Sequence, residues 1–270
     1  MYLGLKPAAD EGIPLLVGKI IHRFAEKVAI DRSPVNWQVQ SLEAIQEARR
    51  LDLPLKDQEQ IKKAIAAVPL AEMPRPLLLG DQNGVEFKFK VKHPDYPNVN
   101  YMGTVDLLSR KGEVLQVIDI KTTRKYAFKD ALAGYEGDTQ FTFYPWVLNK
   151  FAYELLPLEI ANLAWYRHMT MQALIVQIAL PTPSWRLGPA QSFTEDAFIE
   201  FDKLLQSQIL KLYTFVETAA EHNKLPPAWG KVNNSCPSCP FKRLCFAKDA
   251  VSVELFLSET KVVTYSPLTW

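Results

Sequence analysis

The sequence predicts a mixed α/β fold built around one sheet, because the spacing of its apolar residues changes from a helical period to a strand period and back. The first third of the chain repeats apolar residues at helical spacing, and the next segment alternates apolar with charged residues. The predicted order is helices, three strands, one helix, two strands, a long helix and a cysteine-containing tail. No internal repeat or low-complexity segment interrupts this order.

Three helices are predicted before the first strand. Residues 15–30, 38–50 and 57–68 each place apolar side chains along one helical face. The helical region is expected to end at a group of prolines, since proline lacks the backbone N–H that a helix needs. These prolines are Pro69, Pro74 and Pro76.

The three strands that follow are predicted to form an antiparallel meander. In residues 85–92, Val and Phe alternate with Glu and Lys, which is typical of a strand with one exposed face. Residues 99–109 and 114–121 read as the next two strands, joined by a hairpin turn at 110–113. Short turns between sequential strands favour antiparallel pairing.

The remaining elements are a helix over 138–154, strands over 158–167 and 173–180, a proline-rich loop over 181–189 and a long helix over 194–222. Asp138 or Thr139 is a plausible N-cap of the first of these helices. We expect one domain over residues 1–270, with a core at about 15–180 and the last helix and cysteine tail at about 190–250.

Composition excludes some classes of protein. The 270 residues include 31 Lys and Arg and 30 Asp and Glu, and the net charge of +1 excludes a strongly basic, histone-like binder. It does not exclude nucleic acid, because a local basic patch is sufficient. The chain shows no secretory signal pattern and no apolar run long enough for a membrane span. We therefore expect a cytoplasmic protein.

Two aspartates and a lysine are the most informative residues. Asp106 and Asp119 lie in apolar segments predicted as adjacent strands, where a carboxylate is costly unless it is paired, protonated or bound to a metal. Facing carboxylates suit Mg²⁺ or Mn²⁺. Lys121 follows Asp119 by two positions and therefore points to the same face. The alternative for Asp119 and Lys121 alone is a surface ion pair.

Three further polar residues are compatible with such a site. Gln140 and Tyr144 lie four apart on one face of the helix after the acidic hairpin, where the alternative is an ordinary surface glutamine and a half-buried tyrosine. His22 lies on the mostly apolar face of the first helix. A lone histidine there is more often a core residue, and it becomes a ligand candidate only if that helix packs beside the acidic strands.

Taken together, these residues resemble the RecB-like branch of the PD-(D/E)xK nuclease superfamily. The order His22, Gly103-x-x-Asp106, Asp119-x-Lys121 and Gln140-x-x-x-Tyr144 is that of the family, over roughly residues 15–180. The resemblance implies a restriction-endonuclease-like core with a helical N-terminal insertion. Glu86 also resembles a recurrent acid of the family, with no role assigned to it.

The resemblance also implies roles for single residues. Asp106, Asp119, His22 and the backbone carbonyl of Ile120 would bind the metal. Lys121 would position the attacking water, and Gln140 and Tyr144 would support the site and the DNA strand.

The three cysteines lie close together near the C-terminus. Cys236, Cys239 and Cys245 have C-x₂-C-x₅-C spacing, which suits a [4Fe–4S] cluster or Zn²⁺, whereas the alternative is three unrelated thiols. The spacing resembles part of the iron–sulfur site in AddB-type and CRISPR-associated exonucleases of this branch. Those relatives have a fourth cysteine before the histidine helix, and this sequence has no cysteine before Cys236.

The expected function is a Mg²⁺- or Mn²⁺-dependent deoxyribonuclease, an exonuclease or end-processing enzyme that hydrolyses phosphodiester bonds with a metal-activated water. Its partner is DNA with a free end, which Arg124, Lys125 and Lys129 would contact along the backbone. The alternatives are a catalytically inactive DNA-binding or interaction subunit on the same scaffold, and a zinc-ribbon-like scaffold protein. Repair, phage recombination and CRISPR adaptation are all compatible pathways.

Overall fold

The computed structural model describes residues 5–6, 12–80, 82–96, 99–125, 127–133, 138–162, 164, 166–179, 181–222 and 261–262. The chain divides into two compact units. One is Gly12–Leu205, and the other combines the segments before and after it. In the latter, β1 (Leu5–Lys6) pairs antiparallel with β10 (Lys261–Val262).

The first unit opens with the three predicted helices, α1 (Ile13–Ile30), α2 (Pro34–Arg50) and α3 (Leu55–Ala66). All three begin earlier than the apolar period indicates, and α1 and α2 each have a proline in the first turn. The Ser33 side chain accepts a hydrogen bond from Asn36 N, and Pro34 stands in the first turn of α2.

The three helices pack on one face of the main sheet. Val17, Ile21 and Phe24 of α1 are buried in one apolar cluster with residues of the central strands. Trp185 joins the same cluster and donates a 2.8 Å hydrogen bond from Nε1 to the carbonyl of Ala64 in α3. Because α1 is buried against the sheet, its polar residue His22 lies next to the central strands.

The antiparallel meander is confirmed. After a small hairpin of β2 (Leu78–Leu79) and β3 (Gln82–Asn83), the strands β4 (Val85–Lys92), β5 (Asn100–Lys111) and β6 (Val114–Thr123) pair in sequence. The second hairpin turns at Gly112, whose φ of 61° is a conformation that favours glycine. The lysines of β4 are exposed and its Phe87, Phe89 and Val91 are buried, as the alternation predicts.

The sheet continues through a helical crossover. The connection contains α4 (Phe128–Ala133), α5 (Thr139–Lys150), α6 (Ala152–Leu155), α7 (Leu158–Ala161) and a 3₁₀ turn (Tyr166–His168). It leads to β7 (Met169–Gln177), which pairs parallel with β6. Two short strands, β8 (Ser184–Leu187) and β9 (Gln191–Ser192), pair antiparallel with β7. The main strand order is β4-β5-β6-β7-β8, so the fold is the predicted mixed α/β class with β6 at the centre.

The prediction of a strand over 158–167 is wrong. Pro157 precedes the short helix α7, and buried Ile160, Ala161 and Ala164 follow a helical spacing rather than strand alternation. The predicted helix over 138–154 ends at Lys150 and resumes after Phe151. The proline-rich segment 181–189 contains β8, because buried Trp185 anchors it to the apolar core.

The last helix, α8 (Glu195–His222), begins one residue after its predicted start. Thr194 caps it, since its Oγ1 accepts a hydrogen bond from Ala197 N. Within the residues that the structure describes, none of the helices combines the length and the apolar character required to cross a bilayer.

Candidate active site

Asp106 lies where two strands of the meander separate. The β5–β6 ladder runs from Lys111↔Val114 to Leu107↔Ile118 and ends there. Beyond it, the Asp106 carboxylate accepts a 2.7 Å hydrogen bond from the backbone N–H of Ile120. The side chain therefore satisfies a backbone donor that a continued ladder would have used, which places a carboxylate inside the sheet at 9% exposure.

His22 reaches Asp106 from α1. Its Nε2 lies 2.8 Å from Asp106 Oδ2, although the two residues are 84 positions apart in the sequence. The helix that carries His22 therefore packs beside the acidic strands, which makes His22 a candidate ligand.

Asp119 and Lys121 share one face of β6, as their spacing predicts. Lys121 Nζ lies 2.9 Å from Asp119 Oδ2, and Asp119 is 2% exposed. The ion pair is therefore half-buried rather than the ordinary surface pair that was the alternative, and the Asp119 carboxylate stands one strand away from Asp106.

Gln140 and Tyr144 complete a chain of contacts from α5. Lys121 Nζ donates to Gln140 Oε1 at 3.0 Å, and Gln140 Nε2 donates to the Tyr144 hydroxyl at 2.7 Å. The first turn of α5 is capped by Asp138, whose Oδ1 accepts a hydrogen bond from Gln140 N. The helix α5 thus holds the lysine amine in place through Gln140.

Two glutamates extend the site beyond the residues with predicted roles. Glu26 Oε1 lies 2.6 Å from His22 Nδ1, and a carboxyl oxygen of Glu86 lies within 4.8 Å of the ligand atoms of both residues. Glu86 has a φ of 51°, a strained backbone conformation for a non-glycine residue that costs about 1–3 kcal/mol. The sequence signal for Glu26 is its position four residues after His22, on the same helical face.

The pKa values of the site reflect many carboxyl groups in a small, partly buried volume. Burial disfavours the charged imidazole, but hydrogen bonds to Asp106 and Glu26 outweigh it and raise the pKa of His22 to about 10. Burial and the nearby charge of Asp106 raise the pKa of Asp119 to about 6, against the opposing attraction of Lys121. Burial and the contact with Glu26 also raise the pKa of Glu86.

These residues fit a divalent cation. Four carboxyl groups, those of Glu26, Glu86, Asp106 and Asp119, face one imidazole and one ammonium. Apart from the ion pair with Lys121, buried Asp119 Oδ2 has no hydrogen-bond partner among the described residues. Carboxylate oxygens are the ligands that Mg²⁺ and Mn²⁺ prefer, and a cation would offset the excess negative charge.

An open cleft of about 500 Å³ lies over this group, between α1 and the end of β6. Its walls include His22, Glu26, Glu86, Ile120 and Lys121. A cleft of this kind gives an extended chain access to His22 and Lys121, which contact Asp106 and Asp119.

The predicted DNA-contacting residues lie just after β6. Arg124 forms an ion pair with Asp57 of α3, a partner that the sequence did not indicate. Lys125 Nζ donates to the carbonyl of Asp130, and Lys129 is exposed on α4. The three predicted cysteine ligands, Cys236, Cys239 and Cys245, lie outside the described residues.

Comparison with known proteins identifies a family. A model of the PD-(D/E)XK nuclease superfamily matches residues 2–246, which is most of the chain and includes every site residue described above. A search of curated proteins found no match.

Proposed function

Because this chain belongs to the PD-(D/E)XK nuclease superfamily, whose members are metal-dependent nucleases, we propose that it is a Mg²⁺- or Mn²⁺-dependent exonuclease that hydrolyses DNA from a free end. The observation that carries this proposal is that His22 and Lys121, which line one cleft, are joined by short contacts to the buried carboxylates of Asp106 and Asp119.

The proposed cation ligands are His22, Asp106, Asp119 and the carbonyl of Ile120. The backbone N–H of Ile120 donates a hydrogen bond to Asp106, so the carboxylate lies beside the backbone of Ile120. When bound, the cation would supply Lewis-acid chemistry, polarising a phosphate oxygen and making water a better nucleophile.

Lys121 is proposed to orient the attacking water and to stabilise negative charge as the phosphorus becomes five-coordinate. Its amine is fixed from two sides, by Asp119 on its own strand and by Gln140 on α5. A charge held in place before the reaction costs little reorganisation when negative charge develops on the substrate.

Gln140 and Tyr144 are proposed to act together on the lysine and on the DNA strand. Gln140 uses its carbonyl for Lys121 and its amide for Tyr144, so the orientation of one side chain depends on the other. The exposed Lys129 is proposed to contact a phosphate, while Lys125 and Arg124 add positive potential along the same path.

The resemblance to the RecB-like branch supports two finer proposals. The order of His22, Asp106, Asp119-x-Lys121 and Gln140-x-x-x-Tyr144 favours that branch over others of the superfamily. The spacing of the three cysteines favours an iron–sulfur cluster or Zn²⁺, which metal analysis of the purified full chain would separate.

Digestion of end-labelled linear DNA and of circular DNA tests the proposed function. Mn²⁺ or Mg²⁺ should support loss of linear DNA, circular DNA should survive, and a chelator should stop the reaction. Equal cleavage of circles would overturn the exonuclease assignment. DNA binding without metal uptake or cleavage would favour an inactive binding subunit instead.

Asp119→Asn provides the matched test of the site. We expect at least a ~10²-fold loss of cleavage, the typical effect of removing one electrostatic contributor. Asp52→Asn is the control, because Asp52 is exposed and has a φ of 49°, a conformation that asparagine accepts well. Full cleavage by a clean Asp119→Asn preparation would refute the assignment.

A further inference from the structure

The imidazole of His22 is held at both nitrogens. Nε2 lies 2.8 Å from Asp106 Oδ2, and Nδ1 lies 2.6 Å from Glu26 Oε1. Glu26 follows His22 by four residues on α1, so both side chains leave the helix on the same face. The ring orientation is therefore set by one contact within the helix and by one contact across to the sheet.

The two nitrogens of a neutral imidazole differ, since one carries a hydrogen and the other a lone pair. In the charged ring both nitrogens carry a hydrogen, so Nδ1 donates to Glu26 and Nε2 donates to Asp106. A neutral ring that keeps its hydrogen on Nδ1 for Glu26 leaves the Nε2 lone pair for a cation. Carboxylates that accept the second ring hydrogen in this way fix the tautomer and the orientation of histidine ligands to metals.

We infer that Glu26 is a positioning residue, which holds His22 so that Nε2 faces the cation proposed to bind at Asp106 and Asp119. This inference rests on the proposed function, because it requires a divalent cation at that place. Glu26 acts through His22 and contacts neither the cation nor the substrate.

A different arrangement is a cation bound by His22, Glu26 and Glu86 themselves, whose ligand atoms all lie within 4.8 Å of one another. The two arrangements differ in what they predict, because a Glu26 that binds the cation directly would contribute to Mn²⁺ affinity with or without His22.

Glu86 supports Glu26 from the sheet. The flanking pairs of β4 and β5 are Val85↔Leu107 and Phe87↔Val105, and at Glu86 between them the backbone adopts its φ of 51°. The Glu86 carboxyl group lies within 4.8 Å of that of Glu26 and, like it, lines the cleft. The strand β4 thereby restrains Glu86 directly and Glu26 through its neighbour Glu86.

Calorimetric titration of Mn²⁺ into the full chain tests the inference without relying on cleavage. We expect Glu26→Ala to raise the Kd for Mn²⁺ by about 10- to 100-fold, the usual effect of removing a carboxylate behind a histidine ligand. Glu26→Gln should recover most of the affinity, because its amide oxygen still accepts the Nδ1 hydrogen. Glu43→Ala is the matched control, since Glu43 is an exposed acid on α2 that pairs with Lys27.

A double-mutant cycle separates positioning from a direct role. If Glu26 acts through His22, Glu26→Ala should have no further effect on the Kd in a His22→Ala background. A loss of the same size with and without His22 overturns the inference, as does an unchanged Kd in Glu26→Ala. Absence of Mn²⁺ uptake by the wild-type chain instead overturns the proposed function, and the inference with it.

Discussion

The ring of Tyr144 packs directly against the backbone of Gly103, so closely that a β-carbon at position 103 would lie 2.9 Å from Tyr144 Cε1. The same β-carbon would lie 2.6 Å from Cζ of Phe89, which itself meets Tyr144 edge to face. The glycine of the Gly103-x-x-Asp106 segment is therefore required for packing rather than for an unusual backbone angle. It allows α5 to approach the sheet closely enough for Gln140 to reach Lys121.

Gly103→Ala is expected to displace Tyr144 and to lower cleavage. Overpacking of this kind typically costs about 1–3 kcal/mol of unfolding free energy, which denaturant titration measures. Gly18→Ala is the control for stability, because its β-carbon would meet nothing closer than Thr122 Cβ at 4.0 Å and alanine favours the helix. Unchanged stability and cleavage in Gly103→Ala would show that the α5 contact can adjust without cost.

Substitution of Lys121 should lower kcat more than substitution of Gln140. Lys121→Met removes the positive charge and should lower kcat by at least ~10²-fold. Gln140→Leu leaves the amine but not its support, and should lower kcat by between about 10- and 100-fold, since a misplacement of ~1 Å costs up to ~10²-fold. Single-turnover cleavage rates measure both effects. A larger loss from Gln140→Leu than from Lys121→Met would contradict this ranking.

Asp119→Asn should stabilise the metal-free protein while it removes cleavage. Since the pKa of Asp119 is raised from 3.8 to about 6, its contribution to stability is fully present below pH 3.8 and is lost as pH rises through about 6. Asparagine does not titrate. The free energy of unfolding of the variant, relative to that of the wild type, should therefore rise by on the order of 2 kcal/mol between pH 4 and pH 7.

Denaturant unfolding in chelator at the two pH values measures this difference. Asp52→Asn should show no such gain, because Asp52 is exposed. A variant that is less stable than wild type at pH 7 would mean that the ion pair with Lys121 outweighs the burial of the carboxylate.

Substitution of Arg124 and of Lys129 should distinguish a structural role from a DNA-binding role. Arg124 pairs with Asp57, which is 8% exposed, so Arg124→Ala should cost about 1–3 kcal/mol of stability by leaving that carboxylate without its partner. Lys129→Ala should leave stability unchanged, weaken DNA binding and reduce the salt slope by about one. Fluorescence anisotropy over a salt series measures binding. Weakened DNA binding by Arg124→Ala at unchanged stability would reverse the two roles.

Local spacing in the sequence was sufficient for most of the elements and for side chains that share one face of an element. Alternation in residues 85–92 predicts β4, and the two-residue spacing of Asp119 and Lys121 predicts their common face. Spacing failed at residues 158–167, because a short apolar segment fits a strand and a buried helical turn equally well. In the structure, this segment begins with the short helix α7, which Pro157 precedes.

Contacts between elements were decided by the tertiary structure alone. That His22 meets Asp106, that Glu86 meets Glu26 and that Arg124 meets Asp57 depends on how α1 and α3 pack on the sheet. Periodicity identifies the face that a helix buries, but not which polar side chains at the border of that face will touch another element. The sequence by itself therefore determined the fold class and the candidate residues, and the packing of α1 and α5 on the sheet decided which of them form one site.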